Sequence, residues 1–181
     1  MQDRDLRMLR DVVSTRLNVE MAATDEMMII ASSLKPDQVT LVPEEPGEVT
    51  TTGGLDVSAN QTAISAAVRR LQDAGIPASL FIDADPDQVS LAGPTGATAV
   101  EINTGPYAAA SVSRRAGEIV KIQQAARQAR TDGLEVLGGH GLTYVNVGLV
   151  AAIPEIVELN IGHSIISRAV LVGLERAVRD M

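Results

Sequence analysis

The sequence contains no cysteine and no tryptophan, and aromatic residues make up only 2% of it. Without cysteine the chain can form neither a disulfide nor a thiolate metal site. One Phe and two Tyr provide little surface on which nucleic-acid bases could stack. A formal net charge of −8 also disfavours a nucleic-acid backbone as a partner. Nucleic-acid binding is therefore excluded as the expected function.

Long apolar runs are also missing, since none approaches the roughly 18 residues that a membrane span requires. The first residues, MQDRDLRMLRDVV, alternate charged and apolar side chains instead of forming the apolar block of a signal peptide. We therefore expect a soluble, cytoplasmic protein with no membrane partner. Hydrophobic residues nevertheless reach 45%, so Val, Ile, Leu, Ala and Met can build the core of a single domain over residues 1–181.

Apolar segments of strand length alternate with segments of helical periodicity along the chain. The predicted strands are 16–22, 38–44, 77–83, 98–105, 134–141 and 157–163. The predicted helices are 4–16, 25–34, 58–75, 85–92, 113–133, 145–153 and 164–181. Because the strands read as continuous apolar runs between helices, they predict an α/β fold with a parallel sheet covered on both faces.

Two architectures fit this alternation: a doubly wound open sheet, or a TIM-type (β/α)8 barrel. No GxGxxG motif follows the first strand, which weakens the dinucleotide-binding open sheet. Polar residues end several different strands, and in a barrel such ends form one ring. We therefore expect a barrel with six of the usual eight βα units. Its opening helix should follow a strand that is missing, so the sequence is predicted to begin two strands late.

Several strand ends carry side chains capable of acid–base chemistry, namely Glu20, Glu44, Asp83, Glu101, His140 and His163. On a barrel, Glu20, Glu101 and the two histidines are expected to point into one mouth. A carboxylate inside an apolar strand is costly to bury unless it is hydrogen-bonded or used, which favours a functional role. Asp83 is instead predicted as a turn residue or helix N-cap, because Pro86 and further acids follow it.

The only two histidines both follow glycine. His140 lies within "GGHG", where glycines permit positive φ and leave backbone amides free to hold an anion. His163 follows Gly162 at the expected start of a helix, where free amides and the helix dipole favour an anion. The pattern predicts a phosphate cradle in the loops after the last two strands, with both imidazoles against the bound ligand.

Two other interpretations stay open at this point. Two glutamates and two histidines could ligate zinc, although neither HExxH nor a close His pair is present. The Gly- and Thr-rich segment 44–57 is either a plain surface turn, with Asp56 or Ser58 as a helix cap, or a lid that closes over a substrate.

Six segments together resemble one family: "LNVEMA", "LVPEEPGEVTTTGGLDV", "SLFIDAD", "VEINTG", "GGHGLTYVNV" and "ELNIGHSIISRAV". They look like pyridoxine 5'-phosphate synthases of the deoxyxylulose-dependent vitamin B6 route, and the likeness runs essentially end to end. The resemblance implies a (β/α)8 barrel that assembles as a homo-octamer. It implies condensation of 3-amino-2-oxopropyl phosphate with 1-deoxy-D-xylulose 5-phosphate to pyridoxine 5'-phosphate, phosphate and water, with no metal or organic cofactor.

Residue roles carry over by motif. The resemblance implies that Glu20 is a general base, Glu101 stabilises the transition state and His140 is the general acid. It implies substrate contacts from Thr50 to the deoxyxylulose phosphate, and from Gly141, Gly162 and His163 to the amino-ketone phosphate.

The sequence also departs from the family pattern. An N-x-D-H segment expected on the first strand and an H-x-R-x-D-R-R-H segment expected on the second are not found, and Asn103 replaces the histidine usual in "EIHTG". The C-terminus looks shortened. We therefore expect a barrel lacking its first two strands, with two open sheet edges and reduced stability and activity. The alternatives are a non-catalytic phosphate-binding or structural subunit, and a different phosphate-handling barrel enzyme.

Overall fold

The computed structural model describes residues 2–43 and 53–181, which form alternating strands and helices. The strands are β1 (Asn18–Met21), β2 (Gln38–Leu41), β3 (Ala78–Ile82), β4 (Ala99–Asn103), β5 (Glu135–Gly139) and β6 (Glu158–Asn160). The helices are α1 (Asp3–Val12), α2 (Asp25–Leu34), α3 (Val57–Asp73), α4 (Pro86–Ala92), α5 (Gly105–Ala109), α6 (Val112–Thr131), α7 (Val147–Ala151), α8 (His163–Val172) and α9 (Leu174–Asp180), with a 3-10 turn at Gly93–Thr95.

The strands form one parallel sheet in the order of the chain, from β1 to β6. Each strand pairs with its successor, as when Glu20 lies beside Thr40 and Gly139 beside Asn160. Within residues 2–43 and 53–181, β1 and β6 therefore each have one neighbour. The parallel α/β fold predicted from the sequence is confirmed, and every strand delivers its C-terminal end to the same rim.

The two faces of the sheet differ in polarity. Outward-facing residues are buried and apolar, and they pack against the helices as one core, including Val19, Val39, Leu41, Leu80, Ile82, Val100, Ile102 and Val136. The alternate, inward-facing residues are mostly polar, including Asn18, Glu20, Thr40, Ser79, Glu101, Asn103, Glu158 and Asn160. The strands read as continuous apolar runs in the sequence, but alternate residues along a strand face opposite sides and the inward-facing ones are mostly polar. The inward face of the sheet therefore carries the polar side chains that can take part in binding or catalysis.

The sheet curls so that its first and last strands approach one another. Arg16, just before β1, places Nη1 3.1 Å from Glu135 Oε1 and 3.5 Å from Glu158 Oε2. These carboxylates begin β5 and β6, at the far end of the strand order. One side chain can span that distance only if the sheet is strongly curved, so the barrel-type arrangement is favoured over a doubly wound open sheet.

Several helix boundaries match the sequence signals. Asp56 caps α3 by accepting a hydrogen bond from the Ala59 amide, so one of the two caps expected for segment 44–57 is confirmed. Gly75 and Gly133 follow α3 and α6 with φ of +78° and +83°, values that a side chain disfavours. The two glycines therefore end the helices that were predicted over 58–75 and 113–133.

Other boundaries differ from the expectation. The single helix predicted over 164–181 is two helices, because Gly173 takes φ +83° and ψ 153° between α8 and α9. The last strand ends at Asn160, so His163 opens α8 and is not part of the strand. The strand predicted to reach Gly105 ends at Asn103, and Gly105 opens the unpredicted helix α5.

None of the helices within residues 2–43 and 53–181 combines the length and the apolar character needed to cross a bilayer.

Candidate functional site

A cleft of about 820 Å³ opens at the C-terminal ends of the strands. Its lining residues are Asn18, Glu20, Val42, Phe81, Glu101, His140, Gly141, Leu142, Thr143, Asn160, Ile161, Gly162, His163 and Ser164. Every predicted site residue that the structure describes is among them. Thr50 and Glu44 lie outside the described residues, as does most of the segment predicted as a turn or lid. The convergence predicted for Glu20, Glu101 and the two histidines is confirmed.

Glu101 lies on β4 and is only 3% exposed. Its Oε2 accepts a hydrogen bond of 2.6 Å from Nδ2 of Asn160, which comes from β6. Burial in the sheet interior, and secondarily the negative charge of Glu20, raise the pKa of Glu101 to about 8. At neutral pH this carboxyl is therefore mostly protonated and can donate a hydrogen bond.

Glu20 lies on β1 with its side chain open to the cleft. The surrounding protein raises the pKa of Glu20 by desolvation, and the charge of His140 partly opposes that rise. Glu20 thus interacts electrostatically with both His140 and Glu101. These three groups, from strands β1 and β4 and the loop after β5, can exchange protons with one ligand in the cleft.

His140 is held in an unusual backbone conformation, with φ +81°. A non-glycine residue in that region costs about 1–3 kcal/mol and persists only where its surroundings fix it. The Thr104 hydroxyl lies 2.7 Å from the Gly139 carbonyl oxygen and 2.6 Å from the His140 carbonyl oxygen. The Thr104 amide also donates to the Gly139 carbonyl at 2.7 Å. The loop after β4 therefore fixes the end of β5.

Two glycines make room around this histidine. A Cβ on Gly105 would lie 2.7 Å from Cδ2 of the His140 ring. Gly141 has φ +73°, and a Cβ there would lie 2.7 Å from Cβ of Ala108. The glycine-rich setting of His140 is thus a steric requirement as well as a conformational one.

The N-terminus of α8 faces the cleft. Gly162 occupies the N-cap position, and no described side chain caps the helix there. Gly162, His163 and Ser164 all line the cleft, so the first amides of a ten-residue helix are available to an anion. A Cβ on Gly162 would meet no heavy atom within 4 Å, so this side of the helix end is open.

The charges around the cleft restrict what can bind. The chain has 15 Lys and Arg residues, and none of them is among the cleft-lining residues of the described chain. A phosphate in the cleft therefore relies on backbone amides, the α8 dipole and histidine. Among the described residues, no three His, Asp or Glu side chains are grouped closely enough to hold a metal ion.

Asp83 lies in the segment between β3 and α4 but does not cap that helix, so the N-cap alternative predicted for it was wrong. Asp85, not Asp83, caps α4, by accepting from the Asp87 amide at 2.8 Å. Oδ1 of Asp83 accepts hydrogen bonds from the Gly54 amide at 3.0 Å and from Asn103 Nδ2 at 2.8 Å. Asp83 therefore joins the ends of β3 and β4 to the chain that enters α3.

Sequence reasoning missed Asn18, Phe81 and Asn160 in the cleft, and Thr104 behind it. A signal for the first three was present in the spacing along each strand. Asn18 lies two residues from Glu20, Phe81 two from Ser79 and Asn160 two from Glu158, so each pair shares the inward face. Thr104 gave no such signal, because its hydroxyl acts across the sheet on a residue 36 positions away.

Comparisons with known proteins agree with this geometry. The family model for "Pyridoxal phosphate biosynthesis protein PdxJ" matches residues 1–181. Proteins named pyridoxine 5'-phosphate synthase from Synechococcus sp. (strain JA-2-3B'a(2-13)) and Geotalea uraniireducens (strain Rf4) are both 58% identical over 181 residues, covering 99% of this chain and 76% of theirs. The chain thus spans about three quarters of the length of these relatives.

A solved structure is similar in fold. The α subunit of tryptophan synthase from Campylobacter jejuni, a TIM-barrel protein, aligns with a TM-score of 0.64 at 12% identity, covering 98% of this chain and 68% of that chain. The similarity confirms the predicted barrel-type α/β fold.

Proposed function

The chain belongs to the PdxJ family of pyridoxal phosphate biosynthesis proteins, and we propose that it acts as a pyridoxine 5'-phosphate synthase. The reaction condenses 3-amino-2-oxopropyl phosphate with 1-deoxy-D-xylulose 5-phosphate. It yields pyridoxine 5'-phosphate, inorganic phosphate and two molecules of water. The observation that carries the proposal is the meeting of Glu20, Glu101 and His140 with the N-terminus of α8 in one cleft.

The condensation requires an imine to form, water to leave and a ring to close, so protons must be taken up and released at several atoms. We assign Glu20 as the general base, since desolvation raises its pKa toward the range in which a carboxylate accepts protons well. His140, beside it, is the general acid that protonates leaving oxygen atoms. Proximity of both groups to one bound pair of substrates supplies the orientation that such a sequence needs.

Glu101 suits a different role from Glu20. With a pKa of about 8 it is mostly neutral at pH 7, so its proton can be donated to oxygen that gains negative charge in the transition state. Asn160 keeps the carboxyl oriented by donating to its other oxygen. A neutral Glu101 also lowers the negative charge that the two phosphorylated substrates meet in the cleft.

The amino-ketone phosphate is assigned to the N-terminus of α8. Gly162 and His163 contribute amides there, and Gly141 lines the same side of the cleft. Thr50 is proposed as a contact to the deoxyxylulose phosphate on the strength of the family motif alone.

Two wider properties belong to the same proposal. Self-association, as the homo-octamer expected from the family, is supported by exposed apolar side chains on α8 and α9, such as Val170 at 82% and Leu171 at 85% exposure. A cytoplasmic location is supported by the substrates, because phosphate monoesters carry charge that does not enter a bilayer readily.

The direct test is turnover by the purified chain with both phosphorylated substrates, followed through pyridoxine 5'-phosphate and phosphate release. We expect one phosphate per pyridoxine 5'-phosphate, and loss of product formation in Glu20→Gln. Binding of both substrates without any product would instead support the alternative of a phosphate-binding subunit. Binding of a different sugar phosphate only would indicate another enzyme on the same fold.

A further inference from the structure

Thr104 occupies a buried turn between β4 and α5, with none of its surface exposed. It does not line the cleft, so it cannot touch a substrate there. As the N-cap of α5, its hydroxyl would ordinarily accept a hydrogen bond from an amide in the first turn of that helix. The cap makes no such side-chain bond in this structure. The hydroxyl is instead turned toward β5.

The partners of that hydroxyl are the carbonyl oxygens of Gly139 and His140, at 2.7 Å and 2.6 Å. A threonine hydroxyl has one proton, which is shared between the two acceptors. These two carbonyl groups lie on either side of the N–Cα bond of His140, the bond whose rotation angle φ is +81°. The contact therefore acts on the one backbone unit that sets the direction of the His140 side chain.

Neighbouring residues hold Thr104 itself in place. Asn103 Oδ1 accepts from the Gly105 amide at 2.9 Å, while its Nδ2 donates to Asp83. The Gly105 backbone then lies against the His140 ring, since a Cβ on it would come within 2.7 Å of Cδ2. The backbone of His140 thus contacts Thr104, and its ring packs against Gly105, the next residue, which opens α5.

From this arrangement we propose that Thr104 is a positioning residue for the general acid, acting through the backbone of His140. Removing its hydroxyl leaves the carbonyl of His140 without this donor and releases the positive-φ conformation toward more common ones. A shift of about 1 Å in a catalytic group can cost on the order of 10²-fold in rate. Binding at the α8 amides of Gly162 and His163 should change little, because those amides do not depend on this contact, whereas Gly141 follows His140 directly and moves with it.

The test compares Thr104→Val, which removes the hydroxyl, with Thr104→Ser, which keeps it. We expect kcat to fall about 10- to 100-fold in the valine variant, with KM for the deoxyxylulose phosphate within about twofold of wild type. Thr104→Ser should recover most of the rate. Thr95→Val is the matched control, because Thr95 is a buried threonine whose hydroxyl donates to the Ala92 carbonyl at 2.6 Å, outside the cleft lining. It should leave kcat unchanged.

A second readout does not need activity. The chain has only two histidines, so ¹⁵N-histidine labelling yields two sets of imidazole signals, which a His140→Ala variant assigns. At one fixed pH, Thr104→Val should move the His140 signals and leave those of His163 in place. This proposal rests on the proposed function only for its kinetic part. An inactive wild type would contradict that function, while the imidazole signals would still report on positioning.

Unchanged kcat and unchanged His140 signals in Thr104→Val would overturn the proposal. Thr104→Ala covers the case in which the valine variant does not fold. If Thr104→Val and Thr104→Ala both fail to fold while Thr95→Val folds, Thr104 is needed for the fold alone. That result would also overturn the proposal. A serine variant as slow as the valine variant would show that the methyl group, not the hydroxyl, matters, which also contradicts the proposal.

Discussion

Gly139 on β5 lies directly against the carboxyl group of Glu101 on β4, so closely that a Cβ on residue 139 would stand 2.0 Å from Glu101 Oε1. It would also stand 3.2 Å from Cβ of Asn160. The absence of a side chain at position 139 therefore creates the space in which Glu101 meets its partner. This relationship makes Gly139 part of the site although it lies outside the cleft lining.

Gly139→Ala is expected to act like a mutation of Glu101 itself. The added methyl group must displace the Glu101 carboxyl and break its bond to Asn160, so kcat should fall by about 10²-fold, as for a misplaced catalytic group. Steady-state kinetics measures this, with Gly117→Ala on the α6 surface as the control, since a Cβ there meets nothing within 4 Å. Wild-type kcat in Gly139→Ala would contradict the close packing that the structure shows.

Glu101 should also make stability depend on pH. Its pKa is about 8 in the folded state against an ordinary value of 4.5, so between these values the folded protein keeps a proton that the unfolded chain has released. Stability contributed by this proton is complete below pH 4.5 and is lost as pH rises to about 8. Glu101→Gln removes this pH dependence of the free energy of unfolding. As the pH rises from 4.5 to about 8, the free energy of unfolding of Glu101→Gln should increase relative to that of wild type by about 1.4 kcal/mol for each pH unit.

Denaturant unfolding of wild type and Glu101→Gln at pH 5, 6.5 and 8.5 measures this difference. Glu175→Gln on α9 is the control for loss of one negative charge, because Glu175 is an exposed residue that pairs only with Arg179 in the described chain. A constant difference between wild type and Glu101→Gln at all three pH values would show that Glu101 ionises normally in the folded protein.

The two histidines should separate into a catalytic and a binding role. His140→Ala removes the general acid, and such groups typically contribute about 10²- to 10⁴-fold to the rate, so kcat should fall by that factor while phosphate binding stays nearly intact. His163→Ala, at the start of α8, should chiefly raise KM for the amino-ketone phosphate. Kinetics with each substrate varied in turn distinguishes the two. An unchanged kcat in His140→Ala would remove it from the mechanism.

The sequence predicted the site better than it predicted the local geometry around it. Glu20 and Glu101 could be found because a carboxylate within an apolar strand is costly, and both histidines because glycines precede them. The rim that joins them followed from parallel strands. The polar inner face was not predicted, because the strands read as continuous apolar runs. It is the alternation of single residues, such as Val100 outward and Glu101 inward, that separates core from cleft.

Contacts that depend on three dimensions were not readable from the chain. Asp83 was expected to be a turn residue or a helix N-cap because acids and Pro86 follow it. Only the fold reveals that its carboxylate is occupied by Gly54 and Asn103, which leaves Asp85 to cap. The break at Gly173 was missed because a single glycine within a helical pattern is often tolerated, whereas here its φ of +83° ends the helix.

Gly162 provides a test of the phosphate cradle that is independent of stability. Its φ is −97°, which alanine adopts freely, and a Cβ there would meet no protein atom within 4 Å. Gly162→Ala should therefore fold like wild type and unfold at the same temperature. If the α8 amides hold a phosphate, however, the added methyl group stands where the anion approaches them.

Loss of one charge-assisted hydrogen bond is worth about 1.5–3 kcal/mol, so KM for the amino-ketone phosphate should rise about 10- to 100-fold in Gly162→Ala. KM for the deoxyxylulose phosphate should change much less, because only the amino-ketone phosphate is assigned to the α8 amides. Titration with inorganic phosphate offers the same comparison without turnover. A stable Gly162→Ala protein with wild-type affinity for phosphate and for the amino-ketone phosphate would contradict this assignment. The added methyl group would then occupy the space in front of the α8 amides without weakening binding, so the substrate phosphate would have to bind elsewhere.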